Sequence, residues 1–212
     1  MSKSQTFWDK ASSNYDRTEE RFEYIHSKSR ENAKKYLNAD AVVLDYGCGT
    51  GTTTCEFASL VKEIHALDTS SKMIELAKQK ASVNASGNAH FVQTDIFDDR
   101  YERESFDVIL AFNMLHTVEN VREVMQRIHD LLKPEGKLIS VTPCLKEKMS
   151  FWVNLQIQLV RLLTRTGVIP VAIRRLVSSE LDDLMAKANF QTIEAEKIFK
   201  GASSYFVVAN KR

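Results

Sequence analysis

The sequence predicts an α/β protein built on a doubly wound, mostly parallel sheet. Short apolar segments alternate with helical patterns along the chain, as expected for parallel strands joined by crossover helices. The first of these segments, residues 42–44, runs directly into a glycine-rich turn at 47–51. The chain has 212 residues, of which 43% are hydrophobic. This is enough for one sizeable core and a modest insertion, so we expect one domain over residues 1–212.

The first strand and the turn after it carry the strongest signal. The apolar run 42–44 suits a strand covered on both faces, and Asp45 follows at its carboxyl end, where open α/β sheets bind ligands. The turn 46–51, Tyr-Gly-Cys-Gly-Thr-Gly, lets the backbone approach a ligand closely. A dinucleotide fingerprint would need glycine where Thr52 stands, and a P-loop would need a Gly-Lys-Ser/Thr ending. A plain strand-to-helix connection is the alternative.

A second strand and helix support the ligand-binding interpretation. Residues 64–68 form a short apolar strand that ends at Asp68, 21 residues after Gly47. Nucleotide-binding α/β units place a ribose-binding carboxylate at about this distance. Thr69 then begins a Thr-Ser-Ser capping run before a helix with Met73 on its apolar face. The pattern therefore predicts a nucleoside-containing cofactor.

These features resemble the class I S-adenosylmethionine-dependent methyltransferases, closely over residues 40–143 and more loosely beyond 178. The resemblance implies a Rossmann-like sheet of seven strands, an antiparallel last strand and a helical insertion after strand 5. It also implies that the glycine-rich turn wraps the methionine part of S-adenosylmethionine, whereas residues 73 and 95–96 meet the adenine. The implied cofactor-binding residues are Asp45, Gly47, Cys48, Gly49, Gly51, Asp68, Thr69, Met73, Asp95, Ile96, Asn113 and Tyr15.

The remaining elements follow in the order of that family. A third strand at 91–96 is expected to end at Asp95, and a fourth at 106–112 leads into the loop 113–116. Residues 131–141 predict a helix end, a Pro/Gly turn and a fifth strand. A helix over about 179–188 and strands over about 192–199 and 205–209 complete the sheet.

Two segments outside this core are expected to lie near the bound substrate. The arm 1–38 is helical and places Trp8 and Tyr15 among small polar residues. Similar small-molecule methyltransferases carry an arm of this kind that folds over the cofactor. The resemblance therefore suggests Tyr15 as a lid over the cofactor and Trp8 as a substrate contact. A helix that is merely anchored to the surface is the alternative.

The insertion 145–178 is basic and amphipathic. It holds six Lys or Arg residues against the single acid Glu147, a local charge of +5 in a chain of net charge +1. Family insertions at this point commonly cap the substrate pocket. We therefore expect Trp152 and Leu155 to meet the acceptor and Arg161 to meet an anionic group. A helix lying on an acidic membrane surface, a packing helix and a dimer contact are the alternatives.

The loop 113–116 is the position implied for the reacting centre, and His116 is the catalytic candidate. An unperturbed imidazole has a pKa of about 6.5, so this side chain suits a general base. A positioning donor or a surface residue are the other interpretations. Asn-Met-Leu-His departs from the Asn/Asp-Pro-Pro-Tyr/Phe loop of enzymes that methylate adenine or glutamine amino groups, and this argues against those substrates.

Composition excludes several other classes. Lys plus Arg (29) nearly equals Asp plus Glu (28), so no overall field favours nucleic acid. Three cysteines lack metal-binding spacing, and the acids 95, 98 and 99 suit a solvated loop, so we expect no metal. The first residues hold no apolar signal segment, which leads us to expect a cytoplasmic protein.

The prediction is a methyltransferase for a small, partly apolar or anionic acceptor: a quinone precursor, a lipid or an aromatic acid. A tRNA or protein methyltransferase and a non-catalytic cofactor-binding sensor or scaffold remain alternatives. A nicotinamide-dependent oxidoreductase is disfavoured by Thr52. The sequence leaves monomer and homodimer open.

Overall fold

The chain begins with a helical arm and continues as alternating strands and helices. The computed structural model describes residues 2–84 and 86–212. The arm consists of α1 Lys3–Ala11, α2 Tyr15–Glu19 and α3 Glu23–Lys34. The elements that follow are β1 Val42–Tyr46, α4 Thr52–Ala58, β2 Glu63–Asp68, α5 Ser71–Val83, β3 Ala89–Gln93, β4 Phe106–Phe112, α6 Val121–Leu131, β5 Leu132–Pro143, α7 Phe151–Arg165, α8 Ser178–Lys187, β6 Phe190–Phe199 and β7 Ser203–Lys211.

Seven strands form one mixed sheet in the order β3-β2-β1-β4-β5-β7-β6. The first five strands in this order pair in parallel, and β7 runs antiparallel between β5 and β6. The predicted seven-stranded, mostly parallel sheet with an antiparallel last strand is thus confirmed. The strand order reverses between β1 and β4, so the carboxyl ends of these two strands border the crevice where such sheets bind ligands.

The apolar run in β1 reflects burial on both faces of the sheet. Val43 packs on one side with Ile25 of α3 and Phe57 of α4. Leu44 packs on the other side with Met125 of α6. Each such side chain contributes about 1.5–3 kcal/mol when it is withdrawn from water. The two helical layers therefore hold the carboxyl end of β1 in a fixed position.

The third strand begins and ends earlier than the sequence indicates. β3 ends at Gln93, and Asp95 lies in the loop that follows. The Asp95 carboxylate accepts a hydrogen bond from the Phe97 amide at 2.8 Å, which closes a turn of the kind that Asp favours. This local bond ends the strand before Asp95, which leaves the carboxyl at an exposed edge.

The predicted Pro/Gly turn before the fifth strand is instead a bulge within β5. Phe106 pairs with Leu132, whereas Val108 pairs with Lys137, so three extra residues are accommodated on β5. Glu135, within this excursion, has a φ of 62°. The pairing with β4 continues on both sides, which explains why the strand begins directly after α6.

Candidate active site

The glycine-rich turn lies at the carboxyl end of β1 and is held against β2. The amides of Gly47 and Cys48 both donate to the Leu67 carbonyl, at 2.8 and 3.0 Å. Gly51 has a φ of 76°, in the left-handed region, and a β-carbon there would lie 2.8 Å from that of Ala77. The turn therefore requires glycine at this position for both conformational and steric reasons.

Asp68, at the end of β2, ties the turn to the start of α5. Its carboxylate accepts hydrogen bonds from the Gly49 amide at 3.1 Å and the Ser70 amide at 2.8 Å. Burial raises the pKa of this carboxyl, although the two backbone amides act in the opposite direction. Each carboxylate oxygen can accept a further bond, so Asp68 can bind ligand hydroxyls while it holds the turn.

Asp45, at the carboxyl end of β1, is only 1% exposed. It accepts a hydrogen bond from the Thr54 hydroxyl at 2.6 Å. Burial raises the pKa of the Asp45 carboxyl to about 6, and the nearby charge of Asp68 acts in the same direction. A cationic ligand group beside Asp45 would favour its ionised form.

Two adjoining cavities follow the turn. The smaller, of about 280 Å³, lies beside Asp45 and Cys48. The larger, of about 710 Å³, is lined by Asp68, Thr69 and Met73 from the β2 side and by Asp95 after β3. Tyr15, Gly47, Gly49 and Asn113 line both cavities. Of the predicted cofactor residues, Gly51 and Ile96 line neither, and Ile96 is fully buried in the core.

The N-terminal arm closes over the turn and is fastened at two points. The Asp9 carboxylate accepts a hydrogen bond from the Ser70 hydroxyl at 2.6 Å. The Asp16 carboxylate accepts one from the Thr50 hydroxyl at 2.5 Å. Between these contacts the Tyr15 ring covers the turn, because a β-carbon on Gly49 would lie 3.6 Å from its Cε1. Burial raises the pKa of the Tyr15 phenol well above its usual range, so this group stays neutral.

A third cavity, of about 440 Å³, opens beside the other two, and apolar side chains dominate its wall. Trp8 lines it together with other residues of the arm. Tyr15 and Asn113 line this cavity as well as both cavities along the turn. The three cavities therefore meet at these two side chains. The apolar wall consists mainly of Phe7, Trp8, Phe22, Ile25, Val153, Ile157, Val160, Ile169, Val171 and Ile173.

Three polar side chains, Glu19, His26 and Asn113, lie close together beside the point where the three cavities meet. Nδ1 of His26 lies 3.1 Å from Nδ2 of Asn113. Nε2 of His26 lies 3.0 Å from Oε2 of Glu19, an ion-pair distance without hydrogen-bond alignment. Since an amide nitrogen can only donate, Nδ1 of His26 accepts and its proton sits on Nε2, towards Glu19. Asn113 has a φ of 54°, which is uncommon outside glycine and is found at many functional sites.

His116 lines the same apolar cavity, but its surroundings differ from those of a free imidazole. Burial lowers the pKa of His116 to about 4, and the charge of Glu19 offsets only part of this effect. Its Nδ1 is buried and has no hydrogen-bond partner within the described part of the chain. His116 is therefore neutral near pH 7 and a weaker base than an exposed imidazole.

The orientation of α7 differs from the prediction. Val153, Ile157 and Val160 line the cavity, whereas Trp152 and Leu155 are 73% and 52% exposed on the outer face. Arg161 is exposed as well and does not line the cavity. Both faces of this helix are apolar, so periodicity alone does not tell which one faces inwards. The insertion thus lines the apolar cavity, but through Val153, Ile157 and Val160 and not through Trp152, Leu155 and Arg161.

The acidic loop after β3 is held by local charge pairing. Asp98 accepts a hydrogen bond from the Thr94 hydroxyl at 2.6 Å and pairs with Arg100 at 2.9 Å. The Arg100 guanidinium, together with Thr94, holds the pKa of Asp98 well below its usual range. Across residues 2–84 and 86–212, no group of three or more His, Cys, Asp or Glu side chains is arranged to hold a metal ion.

The residues along the two cofactor cavities fit S-adenosylmethionine. Asp45 is a buried carboxyl suited to a cationic group, the turn needs glycine, and Asp68 can accept ribose hydroxyls. The crevice lies at the point where the strand order reverses. Fold and site together define a class I, Rossmann-like protein for an adenosyl cofactor.

The family follows from comparison with known proteins. The profile of the family described as "Methyltransferase domain" matches residues 37–197, which is 161 of the 212 residues. The chain belongs to this family of S-adenosylmethionine-dependent methyltransferases, whose cofactor is S-adenosylmethionine.

The individual proteins that match this chain have low sequence identity to it. The ubiquinone biosynthesis O-methyltransferase of Haemophilus ducreyi is 33% identical over 127 residues, 58% of this chain and 51% of that protein. The demethylmenaquinone methyltransferase of Lactococcus lactis is 31% identical over 102 residues, 47% of this chain and 40% of that protein. The chain thus spans about half of these proteins or less. The crystal structure of YcgJ from Bacillus subtilis has a TM-score of 0.71 at 19% identity, covering 88% of this chain and 99% of that one, and establishes the fold alone.

Proposed function

We propose that this protein transfers a methyl group from S-adenosylmethionine to a small, largely apolar acceptor. The observation that carries the proposal is the meeting of the two cofactor cavities with the apolar cavity at Tyr15 and Asn113. An acceptor in the apolar cavity would lie next to the cofactor, away from water, and would need little more than alignment with the methyl group.

The acceptor class that we favour is the ring of an isoprenoid quinone precursor. An apolar cavity of about 440 Å³ suits a ring with part of an apolar chain. The names of the Haemophilus ducreyi and Lactococcus lactis relatives point to ubiquinone and menaquinone precursors for those proteins. Lipids and aromatic acids share the apolar body and are further acceptors to test. The basic insertion also suggests contact with a membrane. Such contact would involve the outer face of α7 and is not required for the methyl transfer proposed here.

When bound, S-adenosylmethionine supplies a methyl group already activated on a sulfonium. Asp45 and the turn around Gly47 would hold its methionine part, and Asp68 would accept its ribose hydroxyls. The adenine would lie between Met73 and the Asp95 edge of the larger cavity. The arm would act as a lid through Tyr15 and Trp8, because Asp9 and Asp16 fasten it across the turn.

His26 is the base that the geometry favours for an acceptor hydroxyl, which would take the place of the Asn113 amide at Nδ1 of the ring. It lines both the apolar cavity and the cavity beside Asp45, and Glu19 lies at ion-pair distance from its ring. A carboxylate in this position stabilises the imidazolium that forms when the ring takes a proton. His116, with its pKa lowered to about 4, suits a neutral hydrogen-bonding partner that positions the acceptor.

We expect cofactor affinity to weaken below about pH 6. Burial raises the pKa of Asp45 to about 6 in the free protein, so at lower pH the carboxyl is protonated and must lose its proton before it can pair with a cationic ligand. Affinity for S-adenosylmethionine should fall by up to about tenfold per pH unit below this value. Calorimetry in two buffers of different ionisation enthalpy measures both the affinity and the released proton.

Asp45→Asn is the matched variant for this experiment. It should bind more weakly at neutral pH and lose most of the pH dependence below about 6. The same pKa shift makes the free protein less stable as pH rises from about 4 to 6, because the folded state holds the proton more tightly than the unfolded chain. Wild-type affinity that stays constant from about pH 5 to 7.5 would contradict the role of Asp45.

Turnover tests the proposed function as a whole. The protein is incubated with S-adenosylmethionine and an acceptor panel, and formation of S-adenosylhomocysteine is measured. The panel contains prenylated catechols and hydroquinones, fatty acids, aromatic acids, unmodified tRNA and a protein extract. We expect turnover with a prenylated ring and none with tRNA or protein. Turnover confined to tRNA or protein, or cofactor binding without any turnover, would replace the proposal with one of its rivals.

A further inference from the structure

The outer face of α7 is an exposed apolar stripe, against which none of the described residues packs closely. The chain's exposed large apolar side chains number eleven among the described residues, and six of them lie between positions 151 and 168. Five are on the helix itself, and each of these is at least half exposed. A helix of 15 residues with no buried side chain departs from the pattern of a surface helix, which hides its apolar face. The five are Phe151, Trp152, Leu155, Leu159 and Leu162.

The two faces of α7 are separate. At about 100° per residue, the five exposed side chains fall within an arc of about 100°. Val153, Ile157 and Val160, which line the acceptor cavity, lie on the opposite side. The outer stripe is therefore available to a partner while the inner face closes the cavity.

Charge identifies the kind of partner. The sequence from 148 to 179 contains no Asp or Glu. Arg161 and Arg165 are exposed and flank one edge of the apolar stripe on the helical wheel. Arg174 and Arg175 instead donate to the backbone carbonyls of Glu119 and Leu145, so they belong to the fold. The outer face thus combines apolar side chains with two exposed cationic groups along one side.

We propose that this face of α7 docks on an anionic lipid bilayer. An apolar stripe with Trp and Phe, flanked by arginine, is the composition of a helix that lies in the plane of a membrane interface. A second copy would present the same apolar and basic residues and no acid between positions 148 and 179, so it would not complement the charge of this face. Within the described residues, no helix is long and apolar enough to cross a membrane, which fits docking in the interface plane.

Docking would also explain how an apolar acceptor reaches its cavity, a point that rests on the proposed function. The inner face of α7 lines that cavity, so a helix lying on the bilayer would bring the cavity next to lipid. An acceptor dissolved in the membrane could then enter without crossing water. The docking itself requires only the outer face and is tested without any acceptor.

Sedimentation with vesicles tests the proposal. We expect the protein to bind vesicles of 30% phosphatidylglycerol in phosphatidylcholine, and to bind pure phosphatidylcholine much more weakly. Each basic group near such a surface strengthens partitioning by about fivefold, so R161Q with R165Q should weaken it by about 25-fold. L155S with L159S should abolish it. In a W8F protein, Trp152 is the one remaining tryptophan, and its emission should shift to shorter wavelength on binding.

Matched controls lie on other surfaces. V83S removes an exposed apolar side chain and R122Q removes an exposed cationic one, and neither should alter vesicle binding. Circular dichroism and binding of S-adenosylhomocysteine should be unchanged in the α7 variants, which separates this proposal from the proposed function. Equal binding by all variants, or no binding to anionic vesicles, would overturn the proposal. So would a dimer in analytical ultracentrifugation that L155S with L159S dissociates.

Discussion

Asp68→Ala should raise the Kd for S-adenosylhomocysteine by about 10- to 150-fold, the loss expected when hydrogen bonds to a charged group, worth about 1.5–3 kcal/mol, are removed. The carboxylate already accepts hydrogen bonds from the amides of Gly49 and Ser70. Its oxygens can accept further hydrogen bonds from ribose hydroxyls. Removing it therefore takes away a ligand contact and loosens the turn that surrounds the ligand. Isothermal titration calorimetry measures the effect.

Asp99→Ala is the matched control, because this carboxyl is exposed in the loop after β3 and lines neither cofactor cavity. It should bind with wild-type affinity. Asp68→Asn should lie between the two, since it keeps one acceptor oxygen but presents an amide group to a backbone amide. If Asp68→Ala is folded by circular dichroism and still binds as tightly as the wild type, the ribose contact lies elsewhere.

His26→Gln should lower kcat for a phenolic acceptor by about 10²- to 10⁴-fold, the usual contribution of a general base. The loss should appear in kcat, with the KM for the acceptor little changed, as expected for a group that acts in the transition state. Glu19→Gln should reduce kcat less, because the ring stays in the cavity but loses the carboxylate that stabilises its charged form. The affinity for S-adenosylhomocysteine serves as the measure of an intact cofactor site.

His116→Gln is the internal comparison for this experiment. Burial lowers the pKa of His116 to about 4, so this side chain is a weak base near neutral pH and the variant should keep most of the wild-type kcat. Its main effect should be on KM if it positions the acceptor. The reverse outcome, in which His116→Gln lowers kcat by about 10²-fold or more and His26→Gln does not, would assign the base to His116 instead.

The cofactor side of the site was predictable because its signals are local. The apolar run of β1, the glycine-rich turn and Asp68 follow one another within 27 residues of sequence, from Val42 to Asp68. Backbone bonds from the turn to Leu67 place them together once β1 and β2 pair. The position of Asp95 was less exact, since its bond to the Phe97 amide ends the strand early and sequence propensity does not capture that choice.

The acceptor side was less predictable because it depends on contacts between distant segments. His26 lies 87 residues before Asn113, and no spacing rule connects an arm helix to a loop after β4. Glu19, seven positions before His26, offers only a weak helical-spacing signal. The predicted orientation of α7 differs from the observed one for another reason. Apolar residues occur on both of its faces, so its pattern fits either orientation, and only packing against the arm and the segment after α7 selects one.

Calorimetric titration of the wild-type protein with S-adenosylhomocysteine, and in parallel with NAD⁺, tests the central claim most directly. The geometry of Asp45, the glycine-rich turn and Asp68 predicts one site per chain for S-adenosylhomocysteine and no detectable binding of NAD⁺. Failure of S-adenosylhomocysteine to bind, or tighter binding of NAD⁺, would contradict the account.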